Sequence, residues 1–308
     1  MSEFYSHGKL LITSEYTVLD GATCLAIPTK LGQSLSIEEI DEHKIYWEAY
    51  NYENKCWFTA TFNFNAENFK LEIDTTNTVL VAETLLKILK EANVLNPSFL
   101  KNTRGIKVKT HLEFPENWGL GSSSTLINNI ASWAKVDAFQ LLWNSFSGSG
   151  YDIACAQNST PITYRVINKN PQIETVTFTP SFTEHLFFIH LNKKQNSREG
   201  IQRYREVTSE KDKQIAIEAT TQLTKEILNA STLKTFEAIL NTHENTISSI
   251  LKLPTVKQAL FSDFKGSIKS LGAWGGDFVL ATGEASYVKS YFIEKGYQTI
   301  IPYQEMIA

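Results

Sequence analysis

The most constraining stretch of this sequence is Gly119-Leu120-Gly121-Ser122-Ser123-Ser124-Thr125, set between two segments of different periodicity. Upstream, Ile106, Val108, Thr110 and Leu112 alternate with Lys107, Lys109 and His111, the two-residue repeat of a half-buried strand, which Pro115 ends. Downstream, Leu126, Ile127, Ile130, Ala131 and Ala134 recur at helical spacing. Strand, glycine turn and helix start therefore follow in that order. Glycines let backbone N–H groups approach an anion closely. The first turn of a helix adds unpaired N–H donors and the positive end of its dipole. Serine hydroxyls at such a place cap the helix, bind phosphate or ligate Mg2+. A plain serine-rich N-cap is the competing reading. No lysine follows the glycines, and neither the P-loop nor the GxGxxG pattern is present. Positive charge for a bound phosphate must come from elsewhere in the chain.

Two further glycine clusters and a lysine extend the pattern. Ser147-Gly148-Ser149-Gly150-Tyr151-Asp152 ends in an acid ahead of the apolar run Ile153-Ala154-Cys155-Ala156. A carboxylate at the mouth of a buried segment suits a general base, and the bland alternative is an Asp that caps the next helix. Lys269-Ser270-Leu271-Gly272-Ala273-Trp274-Gly275-Gly276-Asp277 places three glycines within five residues before a strand, which implies close backbone approach or a structural turn. Lys9, in His7-Gly8-Lys9-Leu10, opens the first strand. A lone lysine there is usually solvated; beside three glycine clusters it becomes a candidate partner for phosphate or a developing oxyanion.

With 42% hydrophobic and 12% aromatic residues, the 308-residue chain has the material for a sizeable core. Its 29 basic and 33 acidic residues give a net charge of −4, so nucleic acid is not an expected partner. Cys24, Cys56 and Cys155 lie far apart, without a CxxC, which argues against a zinc site and for a reducing compartment. No signal peptide and no membrane span are read, and the expectation is a cytoplasmic protein. The first 75 residues read mostly as strands, with a hairpin between Ile45–Tyr50 and Cys56–Phe64. Composition shifts between Asn158 and Phe182. The remainder is helix-rich over Ser209–Asn229 and Thr232–Leu253, then mixed. This order suggests an α+β chain of two lobes, placed at 1–165 and 166–308.

In order, Gly8-Lys9-Leu10-Leu11-Ile12-Thr13-Ser14-Glu15-Tyr16-Thr17-Val18-Leu19-Asp20-Gly21, the Gly119–Thr125 loop, the cluster ending at Asp152 and Lys269–Asp277 resemble the motifs of the GHMP kinase family. The resemblance runs over nearly the whole chain. It implies an N-terminal lobe like the second domain of ribosomal protein S5 and a ferredoxin-like C-terminal lobe, with ATP and substrate held between them. It implies transfer of the ATP γ-phosphate to a small molecule with Mg2+. Residue by residue, Asp152 matches the base of the mevalonate-type kinases, and Lys9 the lysine that helps activate the acceptor oxygen. Ser123 matches the hydroxyl that ligates Mg2+. Gly119, Leu120, Gly121, Ser122 and Ser124 match the phosphate cradle, and Gly272, Gly275 and Gly276 the third motif. Such a transfer needs positioning and charge neutralisation more than covalent chemistry.

Within the family, Gly-Ser-Gly-Tyr-Asp and the ending Gly275-Gly276-Asp277 resemble phosphomevalonate kinases, with mevalonate kinases next. Asn192-Lys193-Lys194-Gln195-Asn196-Ser197-Arg198 resembles a segment that meets substrate there. Lys193, Lys194, Ser197 and Arg198, with Ser149, are thereby placed on the substrate side, a solvated basic loop being the alternative. Two departures stand out. Gln140 is nearest to the position of the family's Mg2+-ligating glutamate, and Trp274 replaces a glycine of the third motif, where its bulk is expected to alter contact with nucleotide or substrate. A homoserine-type kinase, a diphosphomevalonate decarboxylase and a non-catalytic nucleotide or metabolite sensor are the other readings. The chain is expected to work as a monomer or homodimer.

Overall fold

The computed structural model describes residues 2–65, 69–101 and 103–308. By its internal contacts the chain forms two compact units. The first takes Met1–Gly8, Leu31–Glu116 and Leu120–Gln157, and the second takes Lys9–Lys30, Asn117–Gly119 and Asn158–Ala308. The chain passes from the first unit to the second for the last time between Gln157 and Asn158. The early segment Lys9–Lys30 also belongs to that unit, which no local composition marks.

Strands β1 (Ser2–Leu11) and β2 (Cys24–Ile40) contribute to both units. In the first unit, β2 pairs antiparallel with β6 (Gly105–Leu112) over residues 33–40. β6 runs parallel to β3 (Lys44–Tyr50), which forms the expected hairpin with β4 (Cys56–Asn65), and β5 (Lys70–Thr76) adds to β4. Asn51 holds the hairpin turn by accepting from the Glu53 and Lys55 N–H groups at 3.1 and 3.0 Å. β6 shows the alternation read from its sequence: Ile106, Val108, Thr110 and Leu112 are buried and Lys109 is exposed. Helix α1 (Val79–Leu95) buries Ala82, Leu85, Ile88, Leu89 and Ala92, a stripe at three- and four-residue spacing. It packs beside β5, α2 (Ser122–Ala134) and α3 (Ala138–Ser145), and α2 also packs on α4 (Tyr151–Ala156).

In the second unit, residues 24–26 of β2 pair with β7 (Ile162–Ile167), which is followed by its hairpin partner β8 (Asn170–Thr175). A separate four-stranded sheet has the order β10 (Ile268–Leu271), β11 (Phe278–Thr282), β9 (Leu186–His190) and β12 (Ile300–Pro302), antiparallel throughout. Phe187, Ile189, Val279 and Ala281 from its inner strands bury against Val256, Phe261, Phe264, Val288 and Phe292. The helices are α5 (Ser197–Val207), α6 (Glu210–Leu228), α7 (Leu233–Leu251), the short α8 (Val256–Leu260), α9 (Ala285–Glu294) and α10 (Tyr303–Met306). Ser209 and Thr232 cap α6 and α7 with their side chains, as expected for those residue types. Among the described residues no helix is long and apolar enough to cross a membrane.

Candidate functional site

In the first unit, α2 begins with the serine run. Its N-cap is Gly121 at φ +90°, a left-handed conformation that glycine adopts without strain. The turn leaves the first-turn N–H groups of Ser122, Ser123 and Ser124 outside the helix's own hydrogen-bond ladder. Ser123 is exposed, Ser122 half-buried and Ser124 buried, and Leu120 is fully buried beneath the loop. Buried polar contacts anchor the start of α2. Thr125 donates to the Ser122 carbonyl at 2.9 Å and to Gln33 Oε1 at 2.7 Å. Asn129 accepts from Ser6 Oγ at 2.7 Å and donates to the Gln33 carbonyl at 2.9 Å, and Asn128 bonds Ser6 and Gln157. Sequence reading passed over Ser6, Gln33, Asn128 and Asn129. Their only signal is two asparagines inside an apolar helical stripe.

Asp152 lies in the first turn of α4, whose N-cap is Gly150 at φ +94°. The carboxylate therefore does not cap this helix, and the bland reading of Asp152 is set aside. Asp152 Oδ2 instead accepts from Ser124 Oγ at 3.4 Å. The second glycine cluster and the serine run thus meet in one place, with Ser124 rather than Ser123 as the hydroxyl beside the acid. Ser149 is buried in the loop that leads to α4. Oxygen donors from Ser123, Ser124 and Asp152 next to first-turn N–H groups outside the helix ladder suit a phosphate with its Mg2+, since Mg2+ keeps waters and phosphate oxygens and needs only one or two protein ligands. Gln140 is exposed on α3, and its backbone N–H donates to Asp137 Oδ1 at 2.8 Å.

In the second unit, the third glycine cluster forms the turn from β10 to β11. Gly272 and Gly275 have φ of +81° and +82°, and Asp277 takes the same left-handed region at +53°. A Cβ on Gly272 would sit 3.9 Å from Lys9 Nζ, so the half-buried Lys9 stands over this turn. A Cβ on Gly119 would lie 2.3 Å from Asp277 Oδ2, and one on Gly276 would lie 2.5 Å from Gln195 Cβ. Both positions require glycine. Lys193, Lys194, Ser197 and Arg198 are all exposed. Ser197 and Arg198 open α5, with Asn196 accepting from the Arg198 N–H at 3.1 Å. Lys193 adjoins the third cluster through its carbonyl, which accepts from the Asp277 N–H at 2.8 Å. His190 Nε2 lies 3.1 Å from the Asn117 carbonyl, and its ring stands near Trp118 and Phe278.

Beneath this turn lies a buried charged group that sequence reading missed. Lys269 is fully buried and donates to Glu15 Oε1 and to the Ser270 carbonyl, with Glu244 Oε1 at 3.2 Å. His243 Nε2 accepts from the Ser14 N–H at 2.7 Å, which leaves the ring proton on Nδ1. Burial pushes the Glu15 carboxyl up to about 7 against the pull of Lys269, and it also raises Glu244. Burial, reinforced by Lys269, holds His243 well below its usual range. Glu15 sits between Ser14 and Tyr16, both left-handed at φ +68° and +62°. Trp274 does not project from the glycine turn as expected. Its ring is buried with Tyr16, Tyr204, Ile247 and Leu251, and Nε1 donates to the Pro254 carbonyl at 3.0 Å.

No family model matches the sequence, and no curated protein matches it either. Solved structures do. The fold is that of the GHMP kinases, a large sheet with helices and a second, separate sheet. Streptococcus pneumoniae phosphomevalonate kinase, in complex with phosphomevalonate and AMPPNP, superposes with a TM-score of 0.69 at 16% identity, over 96% of this chain and 98% of that one. Methanococcus jannaschii mevalonate kinase gives 0.66 at 15%, over 97% and 96%. A Listeria innocua protein gives 0.71 at 15%, over 97% and 96%.

Proposed function

We propose that the protein is an ATP- and Mg2+-dependent small-molecule kinase. The observation that carries this reading is the pairing of the serine-rich start of α2, set by left-handed Gly121, with the Asp152 carboxylate 3.4 Å from Ser124 Oγ. Phosphate-binding N–H groups and a candidate base then share one surface of one unit. Asp152 accepts or orients the proton of the acceptor oxygen. The backbone N–H groups of Ser122–Ser124 bind phosphate oxygens, and the Ser123 hydroxyl is the metal ligand on the protein side. Mg2+ supplies charge neutralisation of the transferring phosphoryl group. Within the second unit, Lys9 stands over Gly272 as a cation suited to an anionic oxygen, and Gly119, Gly272, Gly275 and Gly276 suit close approach to backbone.

For the acceptor, phosphomevalonate is the reading that the residues support best, ahead of mevalonate. Gly-Ser-Gly-Tyr-Asp, the Gly275-Gly276-Asp277 ending and the exposed cations Lys193, Lys194 and Arg198 favour an acceptor that already carries phosphate. The test is ADP release from Mg-ATP with phosphomevalonate, mevalonate and homoserine supplied separately. ADP with phosphomevalonate, together with a diphosphate product, is expected. ADP with mevalonate or homoserine alone would move the acceptor. ATP binding with no turnover on any of them would turn the reading towards a sensor, and CO2 release from diphosphomevalonate towards a decarboxylase.

A further inference from the structure

Three segments with separate sequence signals meet on Asp277, a residue to which those signals gave no role of its own. Asp277 follows the third glycine cluster, is 8% exposed, and holds a left-handed backbone at φ +53°. Its N–H donates to the Lys193 carbonyl at 2.8 Å, and its carbonyl accepts from the Leu191 N–H at 2.8 Å. Its Oδ1 accepts from the Gln195 N–H at 3.1 Å. Its Oδ2 and Cγ occupy the space that a Cβ on Gly119 would take, at 2.3 and 2.4 Å. The preceding residue, Gly276, has backbone and side-chain atoms of Gln195 where its own Cβ would be, at 2.5 to 3.2 Å. The stretch 191–195 is thus fastened to residue 277 by two backbone hydrogen bonds and one to the carboxylate. Lys193 and Lys194 are exposed between those fastenings.

We propose that Asp277 is a positioning residue that holds the cation-bearing segment Lys193–Gln195 against the third glycine turn and Gly119. The proposal rests on the kinase reading for what the segment binds and on geometry alone for the clamp. The carboxylate is suited to the task in three ways. Its short side chain turns back to accept from Gln195, in the segment that follows the neighbouring strand β9. Asp tolerates the left-handed backbone better than most residues. Its charge faces Lys9, His190 and Lys194, which with the Gln195 N–H oppose the raising effect of burial on the carboxyl. Loss of the acceptor frees the Gln195 end of the segment, and the two lysines no longer have one fixed geometry for an anionic acceptor.

Three substitutions separate the hydrogen bond from the backbone strain. Asp277→Asn keeps an acceptor and tolerates the left-handed backbone. Asp277→Ala loses the acceptor, and Asp277→Gly loses it while relieving the strain. Hydrogen exchange at the Gln195 amide reads the clamp without catalysis. Exchange is expected to be about tenfold faster in the Ala and Gly variants than in the wild type and Asn variant, the size of one lost hydrogen bond. In ADP release with Mg-ATP and phosphomevalonate, Ala and Gly are expected to raise the acceptor KM about tenfold while the ATP KM stays within about twofold, and Asn is expected to rescue. Equal Gln195 exchange in all four proteins overturns the clamp. So does a Gly variant as good as wild type, or a parallel rise of both KM values. A wild type that releases no ADP with phosphomevalonate sinks the kinase reading with that acceptor, and the exchange experiment then decides the clamp by itself.

Discussion

The buried Glu15–Lys269–Glu244 group makes folding stability depend on pH in a direction opposite to that of an ordinary surface carboxylate pair. Glu15 and Glu244 flank one lysine, and all three are at most 2% exposed. With both acids ionised the group would carry one net negative charge out of reach of water, so one retained proton makes it neutral. The Glu15 carboxyl is accordingly raised by burial from 4.5 to about 7. The folded chain holds the proton more tightly than the unfolded chain. Its stabilising effect is fully present below the unfolded value and is lost as pH rises through the folded value. A shift of about 2.5 units corresponds to roughly 3 kcal/mol overall, of which about 2.5 kcal/mol falls between pH 5 and pH 8.

Glu15→Gln removes that proton uptake and leaves Lys269 with Glu244 as a neutral pair. Urea unfolding followed by circular dichroism, from about pH 5 to pH 8, should show the wild type losing roughly 2.5 kcal/mol more than the variant over this span. Because the variant keeps the group neutral at every pH, it is expected to lie close to the wild type near pH 5 and to be the more stable of the two at pH 8. Parallel pH profiles for the two proteins would refute the reasoning, because the proton would then not reside in this group.

Two further outcomes follow from the site. Asp152→Asn should lower kcat about 10²-fold or more while Mg-ATP binding by calorimetry stays near wild type, and unchanged turnover would remove the base. Trp274→Ala should destabilise by about 3–5 kcal/mol, as expected for a buried indole, whereas Trp274→Phe should cost about 1 kcal/mol through its lost bond to Pro254. Equal losses in urea unfolding would mean that the indole's bulk contributes little.

Local pattern revealed the elements whose burial is set by their own periodicity. The alternation in β6, the hairpin of β3 and β4, and the long helices α1, α2, α6 and α7 were all legible in this way. The inner strand β9 was missed because all five of its residues, Leu186 to His190, are buried and show no alternation. Helix α5 is not legible in the sequence because it buries only Tyr204 and so carries little apolar periodicity. The candidate site divides along the same line. Glycines that need left-handed backbone, such as Gly121, Gly150 and Gly272, announce themselves by residue type. Glu15, His243, Glu244 and Lys269 do not, since a buried ionic group joins residues more than 220 positions apart and leaves no spacing to read.

Trp274 shows why a departure from a motif cannot be interpreted from the motif alone. A tryptophan among glycines suggests a bulky group thrust into a ligand site, yet here the ring turns inward. Tyr16 explains the difference. Its backbone is left-handed at φ +62°, a strain of about 1–3 kcal/mol for a residue of this kind, which persists only if tertiary contacts hold it. The Tyr16 hydroxyl accepts from the Trp274 N–H at 2.9 Å, and the two rings share one cluster with Tyr204. Gly200 leaves the space, since a Cβ there would stand 2.6 Å from Tyr16 Oη. Tryptophan at 274, tyrosine at 16 and glycine at 200 therefore form one packing solution. It ties the segment after Glu15 to the third glycine turn and to α5, so a change at any of the three should be felt at the other two.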